Sequence, residues 1–299
     1  MDRLNRRCSA GGRACCGVRG SRLSRRPRHA SLRLFPRYDE GSDSPEVRRQ
    51  GRERVRGAIV IFRQFLHSAP VGASYLFGCG GHAICAVVDP FDDVDLYVRM
   101  AAETRMRIRY VIDTHVHADH VSGARRLADR AGAEYVRHAA SAAEGMTGVS
   151  DGDSLTLGNV VVRVLHTPGH TPEHICLLVT DRTRGDEPWL ALTGHTLMVG
   201  DMGRTELASD AAEGAAALYG SAAKLRGLPD HVEVWPGALS GSVCGRGLSG
   251  KPSSTIGFER RFNRAFRMED RDAFITAMLR DVPAPPPNAA HVRAINLAA

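Results

Sequence analysis

The sequence I-D-T-H-V-H-A-D-H at residues 112–120 decides the fold, because it puts three imidazoles and a carboxylate into six consecutive positions. It follows an apolar run typical of a strand and precedes a helical pattern. A loop between two such elements can turn several side chains to one side. Imidazole nitrogen and carboxylate oxygen suit zinc or ferrous iron far better than magnesium or calcium. The segment therefore predicts a transition-metal site at the end of a strand.

Two further histidine-containing segments follow predicted strands. H-T-P-G-H-T-P-E-H at residues 166–174 contains a Pro-Gly pair, which forces a tight turn that can aim His170 into a cleft. L-T-G-H-T-L at residues 192–197 offers His195 at the end of a later strand. Each histidine taken singly would more often be a hydrogen-bonded structural residue than a ligand. Three strand-end segments that carry histidine together predict one shared metal site.

Short β-branched runs alternate with helical patterns along the chain, which favours α/β layers over an all-parallel sheet. The predicted strands are residues 59–65, 74–78, 83–89, 110–114, 160–165, 175–180 and 189–193. The predicted helices are residues 94–103, 121–131, 211–225 and 270–279. The basic run at residues 259–267, with Phe258, Phe262 and Phe266 four residues apart, predicts an amphipathic helix that packs its aromatic side chains inward. Arg137 lies outside the motifs and is expected to be exposed.

The composition is that of a soluble enzyme, with 299 residues, of which 43% are hydrophobic and 24% charged. The net charge of +7 comes from residues 1–57, which hold 16 arginines, no lysine and six acids, so that the remaining chain carries a net charge of −3. We therefore expect no nucleic-acid partner for the folded part, and no membrane partner because the apolar runs are short. Seven cysteines without CxxC spacing indicate a reducing cytoplasm.

Three segments are predicted along the chain. Residues 1–57 are expected to form a disordered Arg-rich tail. Three explanations are open for it: an organelle-targeting peptide, a nucleic-acid-binding arm, or an upstream stretch wrongly included in the reading frame. The last is favoured because 38 of the 40 basic residues of the chain are arginine, which is typical of a GC-rich coding sequence. Residues 58–282 are predicted to form the domain. Residues 283–299 are predicted to be a Pro-rich C-terminal arm on the surface.

These motifs resemble those of the metallo-β-lactamase fold superfamily, in the branch that contains glyoxalase II-like hydrolases and persulfide dioxygenases. The resemblance covers about residues 62–267 and includes G-R-T-E-L at residues 203–207. Residues 244–246 and 253–263 resemble the C-terminal region of bacterial persulfide dioxygenases. The implied fold class is α/β, an αββα sandwich of two mixed sheets, with the metal at the loop edges between the sheets.

Two positions depart from the family pattern. Family members usually have Asp where this chain has His195, and usually have His where it has Ala238, two residues after Pro236. In the two-metal hydrolases that Asp bridges both ions and that His completes the second site. A carboxylate has two oxygens and spans two cations, whereas an imidazole presents one nitrogen inward. Both departures weaken the second site and favour the dioxygenase branch, for which the resemblance implies one ferrous iron held at His115, His170 and position 195.

The resemblance also implies a role for each site residue. The metal ligands are predicted to be His115, His117, His170 and His195. Asp119 and His120 are predicted to be catalytic; in the hydrolases they and His117 bind metal, and in the dioxygenases they mostly orient the ligands. Arg204 and Thr205 match a motif associated with the glutathione end of the substrate, where a guanidinium suits a carboxylate, and a surface salt bridge is the alternative. Asp113 is expected to brace the loop, and Cys244 is the one cysteine expected to be reactive.

Three functions stay open. The favoured one is a mononuclear iron persulfide dioxygenase, with one Fe²⁺ per chain, which acts on a glutathione-type persulfide and O₂. The second is a zinc-dependent thioester hydrolase like hydroxyacylglutathione hydrolase, in which a metal-activated hydroxide attacks the acyl carbon. The third is a non-catalytic metal-binding descendant. The predicted partner is a small-molecule thiol persulfide or thioester. The physiological metal, the thiol carrier and a homodimeric assembly are left open.

Overall fold

The computed structural model describes residues 60–282 and 284–299. The predicted tail at residues 1–57 lies outside the described residues, as does Ile59, the first residue of the first predicted strand. The first half of the fold comprises β1 (Val60–Ser68), β2 (Val71–Cys79), β3 (Ile84–Val88), α1 (Val94–Glu103), β4 (Arg107–Ile112), α2 (Ala124–Ala131), β5 (Glu134–His138) and β6 (Thr147–Val149). The second half comprises β7 (Ser154–Leu157), β8 (Val160–His166), β9 (Ile175–Asp181), β10 (Leu190–Gly194), α3 (Ala211–Arg226), β11 (Glu233–Pro236), β12 (Ser254–Thr255), α4 (Ile256–Phe262), α5 (Arg271–Met278) and α6 (Ala289–Ala298).

The strands form two mixed sheets of six strands each. The first has the order β1-β2-β3-β4-β5-β6, in which β1 to β3 are antiparallel neighbours and β3 to β6 are parallel. The second has the order β12-β11-β10-β9-β8-β7, and its one parallel pair is β10 with β11. Both sheets are mixed, as the resemblance implies.

The two sheets pack against each other through alternate side chains. On β2, Tyr75 and Phe77 face the core between the sheets, whereas Leu76 faces the opposite side, because successive side chains of a strand point to opposite faces. The outer face of the first sheet is covered by α1 and α2, and that of the second by α3 and α5. The resulting layers are helix, sheet, sheet and helix, which confirms the predicted αββα sandwich.

The seven predicted strands and four predicted helices are present, with ends that shift by a few residues. The missed strands are β5, β6, β7, β11 and β12, which have two to five residues and therefore show little periodicity. Arg137, expected to be exposed, is 1% exposed.

The prediction for the aromatic helix is wrong. The α4 helix ends at Phe262, because the next residue, Asn263, has an extended backbone. The four-residue spacing therefore does not stay on one face. Phe258 and Phe262 are 53% and 65% exposed, and only Phe266 is buried.

Within residues 60–282 and 284–299, every helix is too short or too polar to span a bilayer.

Candidate metal centre

The histidine-containing loops meet at one edge of the two sheets. The loop at residues 113–123, called the metal loop below, follows β4, and its Thr114 carbonyl accepts from the Ile175 amide at 2.8 Å, at the start of β9. Gly194, at the end of β10, has a φ of +48°, and a Cβ there would lie 2.7 Å from Thr114 Oγ1 and 2.5 Å from His174 Nε2. Glycine is therefore needed at position 194, because any side chain would separate the loops.

Three predicted ligands lie together in this edge. His115, His170 and His195 are buried, and each offers one ring nitrogen, with these nitrogens all within 4.8 Å of one another. His195 Nδ1 lies 3.3 Å from His170 Nε2. Two nitrogens bound to one ion at about 2.0–2.1 Å would lie roughly 3.0–3.4 Å apart. The spacing of these two rings therefore fits two ligands of one metal ion.

Hydrogen bonds on the far side of the rings select the tautomer that a metal needs. The Thr114 hydroxyl donates to Asp89 Oδ2 at 2.8 Å and therefore accepts from His115 Nδ1, 2.9 Å away. His170 Nδ1 donates to the Arg204 carbonyl at 2.7 Å. In both rings Nε2 is left with its lone pair, and His115 Nε2 is a buried atom without a hydrogen-bond partner among the described residues. Such partners orient metal-binding histidines and raise their basicity.

Burial keeps the three imidazoles neutral. It lowers the pKa of His170 to about 3, and the neighbouring His195 contributes to this shift. Burial and the surrounding imidazoles lower the pKa of His115 well below its usual value. Burial also lowers the pKa of His195, although Asp119 opposes the shift. A neutral imidazole is the form that binds a metal ion, so the donor set fits a transition metal.

His117 belongs to a separate group with Asp119 and His120, whose ligand atoms also lie within 4.8 Å of one another. His117 Nε2 lies 3.2 Å from Asp89 Oδ1, and His120 Nδ1 lies 3.0 Å from Asp119 Oδ1. Although burial disfavours the cation, the carboxylates of Asp89, Asp119 and Asp113 raise the pKa of His117 to about 10. His117 Nε2 is thus bound to Asp89, whereas His117 Nδ1 and His120 Nε2 are buried without a hydrogen-bond partner in the described part of the chain.

Of the two positions that depart from the family pattern, His195 belongs to this site, and Ala238 directly follows Gly237, where a Cβ would lie 3.0 Å from His195 Cδ2. Ala238 is 1% exposed and has no donor atom in its side chain. Cys244 lies with Asp119 and His195 in a further group of ligand atoms within 4.8 Å. Burial and the nearby Asp119 raise the pKa of the Cys244 thiol well above its usual value. Because the thiolate is the reactive form, this shift and the burial of Cys244 disfavour the expected reactivity, which stays a prediction.

Arg204 and Thr205 lie next to the site, where the Arg204 carbonyl accepts from His170 Nδ1, and their side chains bind other parts of the protein. The Arg204 side chain is 1% exposed, forms an ion pair with Glu206, and donates to the carbonyls of Val243 at 2.9 Å and Ala284 at 3.0 Å. The Thr205 hydroxyl donates to the Ala211 carbonyl at 3.0 Å. The Arg204 side chain of this ion pair is buried and the Glu206 side chain is 24% exposed, so the pair differs from the exposed surface salt bridge that was the alternative.

Asp113 braces the metal loop as expected. Its Oδ1 accepts from the Ser122 hydroxyl at 2.9 Å, and its Oδ2 accepts from the Tyr135 hydroxyl at 2.6 Å. The carboxylate therefore joins the two ends of the loop to β5.

Four residues that support the site were not singled out from the sequence. They are Asp89, Glu173, His174 and Asn296. His174 Nε2 accepts from the His195 amide at 3.0 Å, and Glu173 Oε1 accepts from the Val116 amide at 2.9 Å. His174 is the last residue of a histidine-containing segment, so a signal for it was present. No local pattern marks Asn296, which contacts the metal loop from α6.

Comparison with known proteins adds four relationships. Residues 69–237 match the family model of the Metallo-beta-lactamase superfamily. The chain is 28% identical over 192 residues to the mitochondrial persulfide dioxygenase ETHE1 of Bos taurus, an alignment that covers 63% of this chain and 72% of the relative. It is 34% identical over 166 residues to a hydroxyacylglutathione hydrolase of Anaeromyxobacter dehalogenans, covering 55% of this chain and 60% of the relative. The crystal structure of ETHE1 from Myxococcus xanthus is similar with a TM-score of 0.69 and 31% identity, covering 80% of this chain and 99% of that one.

Proposed function

Because the chain belongs to the metallo-β-lactamase superfamily, we propose that it is a mononuclear iron persulfide dioxygenase that acts on a glutathione-type persulfide with O₂. The observation that carries the proposal is the group of three buried histidines, His115, His170 and His195, beside a position where Ala238 replaces a metal ligand. This arrangement supports one complete set of ligands for a single ion. The similarity to persulfide dioxygenases supports the reaction class.

Ferrous iron, when bound, would supply electrons and open coordination positions for oxygen chemistry. His115 and His170 would hold it through Nε2, because their Nδ1 atoms donate to Thr114 and to the Arg204 carbonyl. His195 would replace the usual carboxylate, so the ligand set loses one negative charge. By itself, that loss raises the reduction potential of the metal.

Asp119 and His120 are proposed to act together as the base that takes up the proton of the substrate. His120 Nδ1 donates to the Asp119 carboxylate, and its Nε2 is therefore free to accept the proton of a persulfide S–H. Although burial disfavours the anion, His120 and His117 hold the pKa of Asp119 well below its usual value. The His120 ring stacks on Phe91 with a centroid distance of 3.9 Å, which fixes its plane. The pair thus places an oriented base next to the three histidines.

The contact of Arg204 and Thr205 with the glutathione end of the substrate stays a prediction. Their buried hydrogen bonds to the protein favour a supporting role, in which the Arg204 carbonyl holds the tautomer of His170. A cytoplasmic location and a homodimeric assembly likewise stay predictions.

One observation favours a hydrolase as the second candidate. His117, Asp119 and His120 form a group that could hold a second ion, and a hydroxyacylglutathione hydrolase is among the relatives. Against it, His117 binds Asp89, position 195 lacks a bridging carboxylate and position 238 lacks a ligand. A non-catalytic metal-binding descendant is the third candidate.

Anaerobic purification followed by elemental analysis separates the three candidates when it is combined with two activity assays. We expect one iron per chain, together with O₂ consumption that depends on glutathione persulfide. Two ions per chain and cleavage of a hydroxyacyl glutathione thioester would establish the hydrolase instead. A bound metal with neither activity would establish the non-catalytic descendant.

A further inference from the structure

We propose that the C-terminal helix α6 is a working part of the metal centre, and that Asn296 is the residue through which it positions the metal loop. Asn296 contacts backbone groups of the loop, so it is a positioning residue. The inference rests on the metal site, but it does not depend on which reaction the site catalyses.

The Asn296 amide binds three backbone groups of the metal loop. Its Nδ2 donates to the carbonyls of His117 and His120, both at 2.9 Å, and its Oδ1 accepts from the Ser122 amide at 2.9 Å. The two carbonyls flank Asp119 in the sequence. The Asn296 side chain therefore fixes the backbone on either side of Asp119, at His117 and at His120.

The orientation of the amide is determined by its partners. If the oxygen and nitrogen were exchanged, an NH₂ group would face the Ser122 amide and a carbonyl would face two carbonyls. Only the observed orientation satisfies all three groups, and the side chain is 2% exposed. A buried network of this kind is sensitive to the loss of any member, because an unpaired polar group remains buried.

Docking of α6 depends on polar contacts more than on apolar burial. Asn296 is the one buried residue of this helix, whereas its neighbours Ile295 and Leu297 are 38% and 46% exposed. Arg293 donates to the Val116 carbonyl at 2.9 Å, which adds a fourth bond to the metal loop. The buried Arg137 donates to the Asn296 carbonyl at 2.9 Å, where its positive charge is favourable near the helix C-terminus.

The metal loop needs such support because it has no regular secondary structure between β4 and α2 in the described structure. Its backbone is held by side chains from distant segments, including Asp89 on the Thr114 amide and Glu173 on the Val116 amide. Asn296 is the member of this set that reaches the second half of the loop, and its bond to the His117 carbonyl fixes the backbone two residues after the ligand His115. Groups outside the ligand set that orient metal ligands typically contribute about 10–100-fold to metal affinity.

The test is Co²⁺ and Zn²⁺ binding by the full-length chain, measured by competition with a chromophoric chelator. Asn296→Asp keeps the shape and the acceptor for Ser122, but it replaces both N–H donors with an oxygen. We expect it to weaken metal binding by about 10–100-fold and to change the visible absorption spectrum of bound Co²⁺. The matched control is Leu297→Ala, on the exposed face of the same helix, which should leave affinity and spectrum as in the parent.

A merely structural role would give a different result. If Asn296→Asp unfolds at a lower temperature without metal but binds Co²⁺ with the parent affinity and spectrum, the proposal is overturned. Should that variant not fold, Asn296→Ala is measured in the same way, since it removes the three bonds without adding a charge, and unchanged affinity and spectrum there overturn the proposal equally. Because the readout uses metal alone, without persulfide or O₂, it is independent of the outcome of the dioxygenase assay.

Discussion

The Thr114 hydroxyl connects the carboxylate of Asp89 to the ring of His115, and Thr114→Val removes that connection with little change in shape. The substitution leaves His115 Nδ1 without its acceptor, the Thr114 hydroxyl, which lies 2.9 Å away in the parent. It also removes the donor to Asp89 Oδ2, which is the same hydroxyl at 2.8 Å. Each buried group that loses its partner costs about 1–3 kcal/mol. We therefore expect the free energy of unfolding of the metal-free protein to fall by about 2–6 kcal/mol.

The effect on metal binding follows from the same hydrogen bonds. Without the Thr114 hydroxyl, the proton of His115 is free to move to Nε2, the atom that would bind the ion, so metal affinity should fall by about 10–100-fold. Thr156→Val on β7 is the control, because Thr156 is an exposed threonine of a strand. Chelator competition measures the affinity, and urea unfolding measures the stability. If Thr114→Val binds metal as the parent does, the hydroxyl does not select the tautomer of His115.

Three further predictions concern the same site. His195→Ala should lower iron affinity by more than the roughly 10–100-fold that is typical of residues outside the ligand set, whereas His195→Asp should retain iron. Unchanged iron binding by His195→Ala would show that the ring points away from the ion. Ala238→His should raise the occupancy of a second metal site, as measured by elemental analysis, and an unchanged metal content would show that Ala238 does not limit that site. Because the pKa of His117 is raised to about 10, its contribution to the stability of the metal-free protein should be fully present below about pH 6.5 and be lost as the pH rises through about 10. The difference in unfolding free energy between the parent and His117→Gln should shrink over that interval, and a constant difference would contradict the charged state of His117.

The sandwich and the location of the site could be predicted from the sequence, because both leave strong local signals. Short apolar runs mark the strands that form the core, such as β2 and β8, and clustered histidines at strand ends mark the loops that meet. The partners of those histidines are harder to predict. Asp89 lies after β3 and contacts Thr114 only because the parallel pairing of β3 with β4 brings the two strand ends together.

Long-range contacts and helix ends account for the other differences. Asn296 lies 176 residues from His120 along the chain, and no repeat or motif surrounds it. Its contact with the metal loop could therefore not be predicted. The inward packing of Phe258 and Phe262 was predicted from helical periodicity that assumed a longer helix. Asn263 ends α4 after seven residues, because its backbone is extended and its side chain accepts from amides beyond the helix, including the Phe266 amide at 2.9 Å.

The central claim is that His115, His170 and His195 hold one metal ion. Anomalous diffraction at the iron absorption edge, from crystals of anaerobically loaded protein, tests it directly. A single peak within bonding distance of a ring nitrogen of each of the three histidines is the predicted result. A peak among His117, Asp119 and His120, either alone or as a second ion, would contradict the account.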